Sequence, residues 1–342
     1  MKNSYKFILG IETSCDETSA SVVTSDRVLS NIISSQLIHS EFGGVVPELA
    51  SRAHLQKIIP TVESALKEAS IEFEKIEGIA VTYGPGLVGA LLVGLNYSKG
   101  LSMALDVPFV GVNHIEGHIF GNFMNGNLVP SPFICLIVSG GHTQIVLVKD
   151  LLKYHILGET KDDAVGEAFD KVGKLLNLPY PGGPEIDKRA QKGDGDFVFF
   201  PRAMEKSGDF NFSYSGLKTA VVNFIHTQKE IDVLTRINDI CASFQKAAIE
   251  VLIKKTIKAA RTYQIRNIAL AGGVAANSLL RSWMKLEAKK YNLSVYTPPF
   301  EYCTDNAAMI ARAGLEKLSR GEQSNLQLNV YPALRLGEST GN

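Results

Sequence analysis

Two histidines four apart, His114 and His118 in the stretch NHIEGH, could ligate one metal ion. On a helix, positions i and i+4 are about 400° apart in rotation, so both imidazoles share a face. In the zincin pattern H-E-x-x-H the glutamate directly follows the first histidine, where it acts as general base on a metal-bound water. Here that position is Ile115, and the carboxylate comes one residue later, at Glu116. Glu116 then sits about 200° from His114, on roughly the opposite side of the helix. The spacing keeps a metal site open and removes the base that a peptidase needs. Two capping or core histidines on a short helix are the structural alternative. A third ligand is on offer in YCTDNAAMIARAGLEKL, where Thr304 reads as an N-cap and Asp305 falls in the first turn. A carboxylate there favours the helix dipole, but it could also complete a site. Two histidines and one carboxylate leave positions open for substrate and suit Fe(II) or Zn(II).

Three further turns are built for an anion. GIETSCDET packs hydroxyls and carboxylates between two strand patterns, and VSGGHT offers Ser139, Gly140, Gly141 and Thr143 at a strand end. AGGVAAN, ending at Asn277, lies between a strand and a helix, so its backbone donors add to a helix N-terminus. Glycines let the backbone approach an anion closely, and successive N–H groups form a binding concavity. A lone Gly-Gly pair is ordinarily a tight turn; three such turns at equivalent places suggest a nucleotide. Around GEAFDKVGKLLNLPYPGGPEID, Asp170 precedes the pair Gly182-Gly183 and Asp187 follows it. A helical Asp170 reads first as a solvated residue, and second as a partner for ribose hydroxyls.

The elements that must carry these residues come in two similar runs. The first reads strand, polar turn, strand over 6–24, a strand at Val28–Ser34 and a helix at Pro47–Ala69 with a break allowed at Pro60. A strand at Ile79–Thr82, a Gly-rich helix start at GPGLVGALLVGL and a strand at Phe109–Val112 complete it. The second run has strands at Phe133–Ser139, Gln144–Lys149 and near Tyr154–Glu159, then a helix at Ala164–Leu178. Helix near Thr235–Tyr263, strand Asn267–Ala271, helix after Gly273, strand Leu293–Tyr296 and a last helix from Thr304 follow. The expectation is an α/β protein with two lobes and a cleft between them. Residues 1–130, completed by the helix at 304–330, form the first lobe; 131–303 form the second, with an inserted loop region at 180–215.

A chain of 342 residues accommodates two such lobes. Lys+Arg and Asp+Glu balance at 35 each, so net charge gives no pull toward nucleic acid. Lys254, Lys255, Lys258, Arg261 and Arg266 form a candidate basic patch, or the solvated face of an amphipathic helix. The four cysteines are scattered without a C-x-x-C pair, as in a reduced protein. Glu12 ends the first apolar stretch too early for a signal peptide. No window approaches the ~18 apolar residues of a membrane span. A soluble, cytoplasmic protein is expected.

GIETSCDET, GGVVPELASRAH, GPGLVGALLVG, NHIEGH, IVSGGHT, GEAFDKVGKLL, YPGGP, FSYSGLKT, AGGVAANSLLR and CTDNAAMIA occur in order from residue 10 to 311. With this collinear set the chain resembles, nearly end to end, the universal tRNA threonylcarbamoyltransferase (TsaD) family, formerly called glycoprotein endopeptidases. The resemblance implies the actin/Hsp70/sugar-kinase (ASKHA) fold of two RNase-H-like lobes around a cleft. It implies transfer of threonylcarbamoyl from threonylcarbamoyl-AMP to the adenosine 3′ of the anticodon in tRNAs reading codons that begin with A, releasing AMP. The family's metal ligands fall on His114, His118 and Asp305, for one divalent ion per subunit, Fe(II) ahead of Zn(II). Its adenylate-binding positions fall on Ile137, Val138, Ser139, Gly140, Gly141, Asp170, Gly183, Asp187 and Asn277. Ile137 replaces a commoner leucine, which a backbone contact tolerates. Glu12 and Asp16 are candidates for proton handling. Implied partners are tRNA, a paralogous non-catalytic subunit and a small ATPase of the bacterial assembly. The paralogue's docking surface is expected within Pro47–Ala69 and Gly86–Leu105, where apolar residues exceed what one buried face needs. A metallopeptidase, a sugar or acetate kinase and a non-catalytic scaffold on the same fold are the rival readings.

Overall fold

The computed structural model describes residues 4–36, 44–227 and 230–338; Gly43, which opens the motif GGVVPELASRAH, lies outside them. The chain forms two units, Met1–Leu128 with Pro298–Asn342, and Val129–Thr297. The first unit supplies β1 (Ile8–Glu12), β2 (Glu17–Val23), β3 (Val28–Ser35), α1 (Pro47–Ala69), β4 (Gly78–Gly84), α2 (Val88–Leu105), β5 (Phe109–Asn113) and α3 (His114–Phe120). The second supplies β6 (Phe133–Val138), β7 (Thr143–Asp150), β8 (Lys153–Glu159), α4 (Val165–Leu175), α5 (Gly182–Ala190) and α6 (Ser215–Thr227). It continues through α7 (Glu230–Thr235), α8 (Ile237–Thr262), β9 (Asn267–Ala271), α9 (Ser278–Lys289) and β10 (Ser294–Tyr296). The chain then returns to the first unit as α10 (Ala307–Ser319).

The two sheets share one plan. Their orders are β3-β2-β1-β4-β5 and β10-β9-β6-β7-β8, so each opens with an antiparallel meander and adds two parallel strands beside its first strand. Central β1 and β6 are buried at every position, as strands covered on both faces must be. Apolar side chains of α1 (Ile58, Val62, Leu66) fill one core with Leu9, Ile11, Ile79 and Val81. On α10, Gly314 has no room for a Cβ because Ala80 of β4 lies against it, and Gly10 of β1 is crowded in the same way by Ala307. That close approach brings α10 flat onto the strands. In the second unit α8 is buried along most of its length, and Phe244 meets Phe169 of α4 edge-on, ring centres 5.0 Å apart. Each such fully buried ring contributes about 1.5–3 kcal/mol over an exposed one.

Three sequence expectations need correction. Helix α1 runs through Pro60 without a break; Pro60 and Gln56 both lie on its exposed side, so the carbonyl deprived of an amide partner is open to water. The region 180–215 is not merely a loop: Asp170 accepts from the amides of Gly182 (2.8 Å) and Gly183 (3.4 Å) and starts α5. At its far end Asp162 accepts from the amides of Tyr214 (2.7 Å) and Ser215 (3.3 Å) and from both flanking serine hydroxyls, which starts α6. Finally, Thr304 does not cap the last helix. Asn306 does, accepting from Met309 N at 3.0 Å, so Asp305 stands ahead of the helix and outside its first turn.

Candidate functional site

The stretch NHIEGH turns straight from β5 into α3. Asn113 accepts from the amides of Ile115 (2.8 Å) and Glu116 (3.4 Å), satisfying two donors that a helix start otherwise leaves open. All seven residues of α3 are buried. Gly117 allows this, because a Cβ there would press on Ile310 of α10 at 2.7 Å. His114 and His118 therefore lie together under α10, with ring centres 4.7 Å apart.

Asp305 comes to the same place from the turn before α10. Its Oδ1 lies 3.5 Å from His114 Nε2 and 3.3 Å from His118 Nε2, and one ligand atom from each residue falls within 4.8 Å of the others. The contact to His118 is close but lacks hydrogen-bond geometry: among the described residues neither ring nitrogen of this fully buried imidazole has a hydrogen-bond partner. A buried polar group without a partner costs about 1–3 kcal/mol. A cation on Nε2 removes that cost for one nitrogen, and the donor set fits Fe(II) or Zn(II).

Glu12 supports the far side of the pair. Its Oε2 accepts from His114 Nδ1 (3.0 Å) and Thr82 Oγ1 (2.7 Å), and its Oε1 accepts from Ser14 N (2.5 Å). Ser14 Oγ also lies 3.2 Å from His114 Nδ1. Fixing Nδ1–H against a carboxylate sets the tautomer that leaves Nε2 as a ligand. Burial raises the Glu12 carboxyl, but His114 outweighs it and the net shift is downward. For His114, burial works against the charged ring, yet Asp305 and Glu12 prevail and lift it to about 9. Glu17 is pushed up to about 9 by burial, Asp305 and Asp16. Burial, followed by Asp16 and Asp305, pushes the Cys15 thiol up, which removes it as a nucleophile.

Glu116 points elsewhere. Its Oε2 pairs with Lys317 Nζ of α10 at 3.2 Å, with 5% of the side chain exposed. The glutamate that a peptidase would need is a tie between two helices.

The second unit holds the candidate nucleotide residues. Ile137 and Val138 end β6, and Ser139–His142 turns into β7, with Ser139 N donating to His142 O at 2.8 Å. A Cβ at Gly140 or Gly141 would meet no protein atom within 4 Å, so this backbone is open to a ligand. Gly166 N, at the start of α4, donates to Ser139 O at 3.2 Å, and Gly272 (φ +89°) presses against Val138 O. Asp187 of α5 accepts from Ser278 Oγ (2.7 Å), Ser278 N (3.1 Å) and Gln245 Nε2 (3.1 Å). Gln245 Oε1 in turn accepts from Asn277 Nδ2 at 2.8 Å, while Asn277 Oδ1 caps α9 through Leu280 N. Gln245, 2% exposed, thus joins Asp187 to Asn277. Sequence reasoning missed Gln245, which belongs to no recognisable turn, and passed over Ser278, one residue beyond the turn that ends at Asn277.

The candidate basic patch is largely spent inside its own unit. Lys254 binds Glu205 (2.5 Å) and Glu250 (2.6 Å), Lys258 binds the Gly208 carbonyl (2.6 Å), and Arg261 lies over Tyr291. Lys255, nearly fully buried, donates to Ser207 (3.0 Å) and to the Asn211 carbonyl. Lys254, Lys255 and Lys258 clamp the segment 205–211 onto α8.

Fold and site together define an α/β protein of the actin/Hsp70/sugar-kinase class that carries a buried His–His–Asp centre. Solved structures with this fold include HypF from T. kodakarensis (TM-score 0.62, 15% identity, covering 93% of this chain and 48% of that one). Another is the activator of the 2-hydroxyisocaproyl-CoA dehydratase from Clostridium difficile (TM-score 0.56, 15% identity, 94% and 100%). The family profile of tRNA N6-adenosine threonylcarbamoyltransferases matches residues 27–312. Proteins of that name from Clostridium perfringens and Caldicellulosiruptor saccharolyticus are 53% and 50% identical over 335 and 331 residues. These alignments cover 97% and 96% of this chain, and 99% and 98% of the relatives. The chain belongs to the tRNA N6-adenosine threonylcarbamoyltransferase family and is a transferase. The expected fold, family and enzyme class hold.

Proposed function

We propose that the chain transfers the threonylcarbamoyl group of threonylcarbamoyl-AMP to the exocyclic amine of the adenosine 3′ of the anticodon, in tRNAs reading codons that begin with A. The observation that carries a metal-dependent reading is the buried imidazole of His118, beside Asp305 and His114: its ring nitrogens have no hydrogen-bond partner among the described residues. His114, His118 and Asp305 are assigned to one divalent ion, Fe(II) ahead of Zn(II). When bound, such an ion supplies Lewis acidity to a carbamoyl group and a fixed point for a threonyl carboxylate. Ile137, Val138, Ser139, Gly140, Gly141, Asp170, Gly183, Asp187 and Asn277 are assigned to the adenylate.

The donor is a mixed carbamic–phosphoric anhydride with AMP as leaving group, so no enzyme nucleophile is required. The protein's task is to orient the carbamoyl carbon against the amine and to stabilise developing charge. The open backbone at Gly140 and Gly141 suits the phosphate, with Asp187 and Asn277 held in place by Gln245. Glu12, expected from sequence to handle protons, is assigned to orient His114, and proton handling is left to Asp16 in the same turn.

Partners are read from the first unit's surface. Leu55 and Ile59 on α1 are 65% and 53% exposed, and Val88 and Leu92 on α2 are 50% and 36% exposed. The helices approach closely where Gly89 meets Ser51, and these exposed apolar side chains are assigned to docking of a paralogous, non-catalytic subunit. A small ATPase completes the bacterial assembly. No described helix is long and apolar enough to cross a membrane, and the cytoplasm is the proposed location. The test is a transfer assay with unmodified tRNA, threonine, bicarbonate and ATP, with the synthase that makes the adenylate, and with and without the partner proteins. Modified tRNA that appears only with this chain and disappears on chelation supports the reading; transfer that survives complete chelation overturns its metal dependence.

A further inference from the structure

We propose that His54 is a positioning residue for the His–His–Asp centre, acting through the turn between β1 and β2. The inference rests on the metal assignment above.

His54 sits in α1 and is fully buried. Its Nε2 lies 3.0 Å from the Cys15 carbonyl and its Nδ1 lies 2.8 Å from Thr18 Oγ1. A carbonyl only accepts, so Nε2 carries a proton, while Nδ1 shares a hydrogen bond with the threonine hydroxyl. One imidazole therefore clasps both ends of the segment Cys15–Thr18. The start of the same turn is held by α2, where Thr13 Oγ1 donates to Ala90 O (2.9 Å) and Leu87 N donates to Ser14 O (2.8 Å). Ser14, held by Leu87 on one side and next in the chain to Cys15 on the other, donates its amide to Glu12 and brings its hydroxyl to His114 Nδ1.

The chain of contacts is short: His54 to Cys15, Cys15 to its neighbour Ser14, Ser14 to Glu12 and His114. Each hydrogen-bonding group along it is buried or partly buried, so a lost bond is not readily replaced by water. Without His54 the Cys15 carbonyl and Thr18 hydroxyl lose their partners, and the turn is held from the α2 side alone. Ser14 and Glu12 then no longer fix the rotation of the His114 ring, and its Nε2 loses its aim at Asp305. His54 touches no reacting atom; it sets where a ligand points.

The test uses the full chain and Co(II) as probe. For His54→Ala, Co(II) affinity by chelator competition should fall about tenfold, at the low end for outer partners of a ligand, with an altered ligand-field spectrum. His54→Gln, which supplies a donor near the Nε2 position, should recover most of the affinity. Hydrogen exchange on the metal-free protein should quicken at residues 13–18 and 114–118 in His54→Ala and stay unchanged in β4. Wild-type affinity and spectrum in His54→Ala would overturn the proposal. Should the wild-type chain bind no Co(II), the metal assignment fails instead. Exchange then decides alone, and unchanged protection of 13–18 in His54→Ala overturns the coupling.

Discussion

Glu12 Oε2 lies 3.0 Å from His114 Nδ1, although the two residues are 102 positions apart in the chain. The pairing makes a buried carboxylate the rear support of an imidazole proposed above as a metal ligand. Glu12→Gln keeps the shape and removes the charge, and it permits the wrong imidazole tautomer. Metal affinity should fall roughly 10–100-fold, measured by chelator competition, while the far-ultraviolet dichroism stays that of the wild type.

His118→Leu separates the metal from the fold. Both ring nitrogens of His118 lack hydrogen-bond partners among the described residues, so an apolar side chain of similar volume relieves a cost in the metal-free protein. The metal-free Tm should therefore hold or rise. Zn(II) at a hundredfold excess over Kd should stabilise the wild type by about 2.7 kcal/mol and leave the variant unmoved. A variant still stabilised by Zn(II) would show that the ion sits elsewhere.

Gly141→Val probes the anion turn without disturbing the protein. Beyond its chain neighbours no protein atom lies within 4 Å of the added Cβ, so the Tm should change little. AMP binding by calorimetry should weaken by at least about tenfold, or 1.4 kcal/mol, if the backbone there meets the phosphate. Unchanged affinity would remove this turn from the nucleotide site.

Lys317→Met should destabilise the protein by about 3–5 kcal/mol, because it removes the cation paired with the buried Glu116 carboxylate. Adding Glu116→Gln should restore most of the loss in a double-mutant cycle read by urea denaturation. A small loss in the single variant would mean that water reaches Glu116.

Asp162 makes an acid-sensitive clamp at the start of α6. Burial raises its carboxyl, but the Ser213 and Ser215 hydroxyls and the Tyr214 amide outweigh it and hold it below the usual 3.8. Its stabilisation is thus fully present above the unfolded value and is lost as pH falls through the lower folded one. In Asp162→Asn, unfolding curves between about pH 4 and pH 2 should lose part of the wild-type slope.

Much of this was legible in the chain. Period and composition gave α1 its bounds, because Pro47 and Ser70 mark both ends of an apolar stripe. The histidine pair was legible because helical spacing is local. What escaped was set by distant contacts. CTDN offers three cap-competent residues in a row, and the choice of Asn306 is fixed by Ser19 of β2, which accepts the Ala307 amide at 2.8 Å. Gln245 lies mid-helix with nothing around it to mark a bridge between Asp187 and Asn277. The lysines of α8 read as a solvated face because their acceptors lie 44 to 50 residues away.

Asp305 reaches His114 and His118 only after the chain has passed through the whole second unit and come back. On the ribosome, the two histidines emerge long before the carboxylate that completes their set. A nascent chain stalled anywhere in the second unit holds a first sheet without α10 and a centre without its third ligand. On the proposed assignment, loading of the ion waits until Asp305 has been made, and a fragment released earlier lacks one of the three ligands.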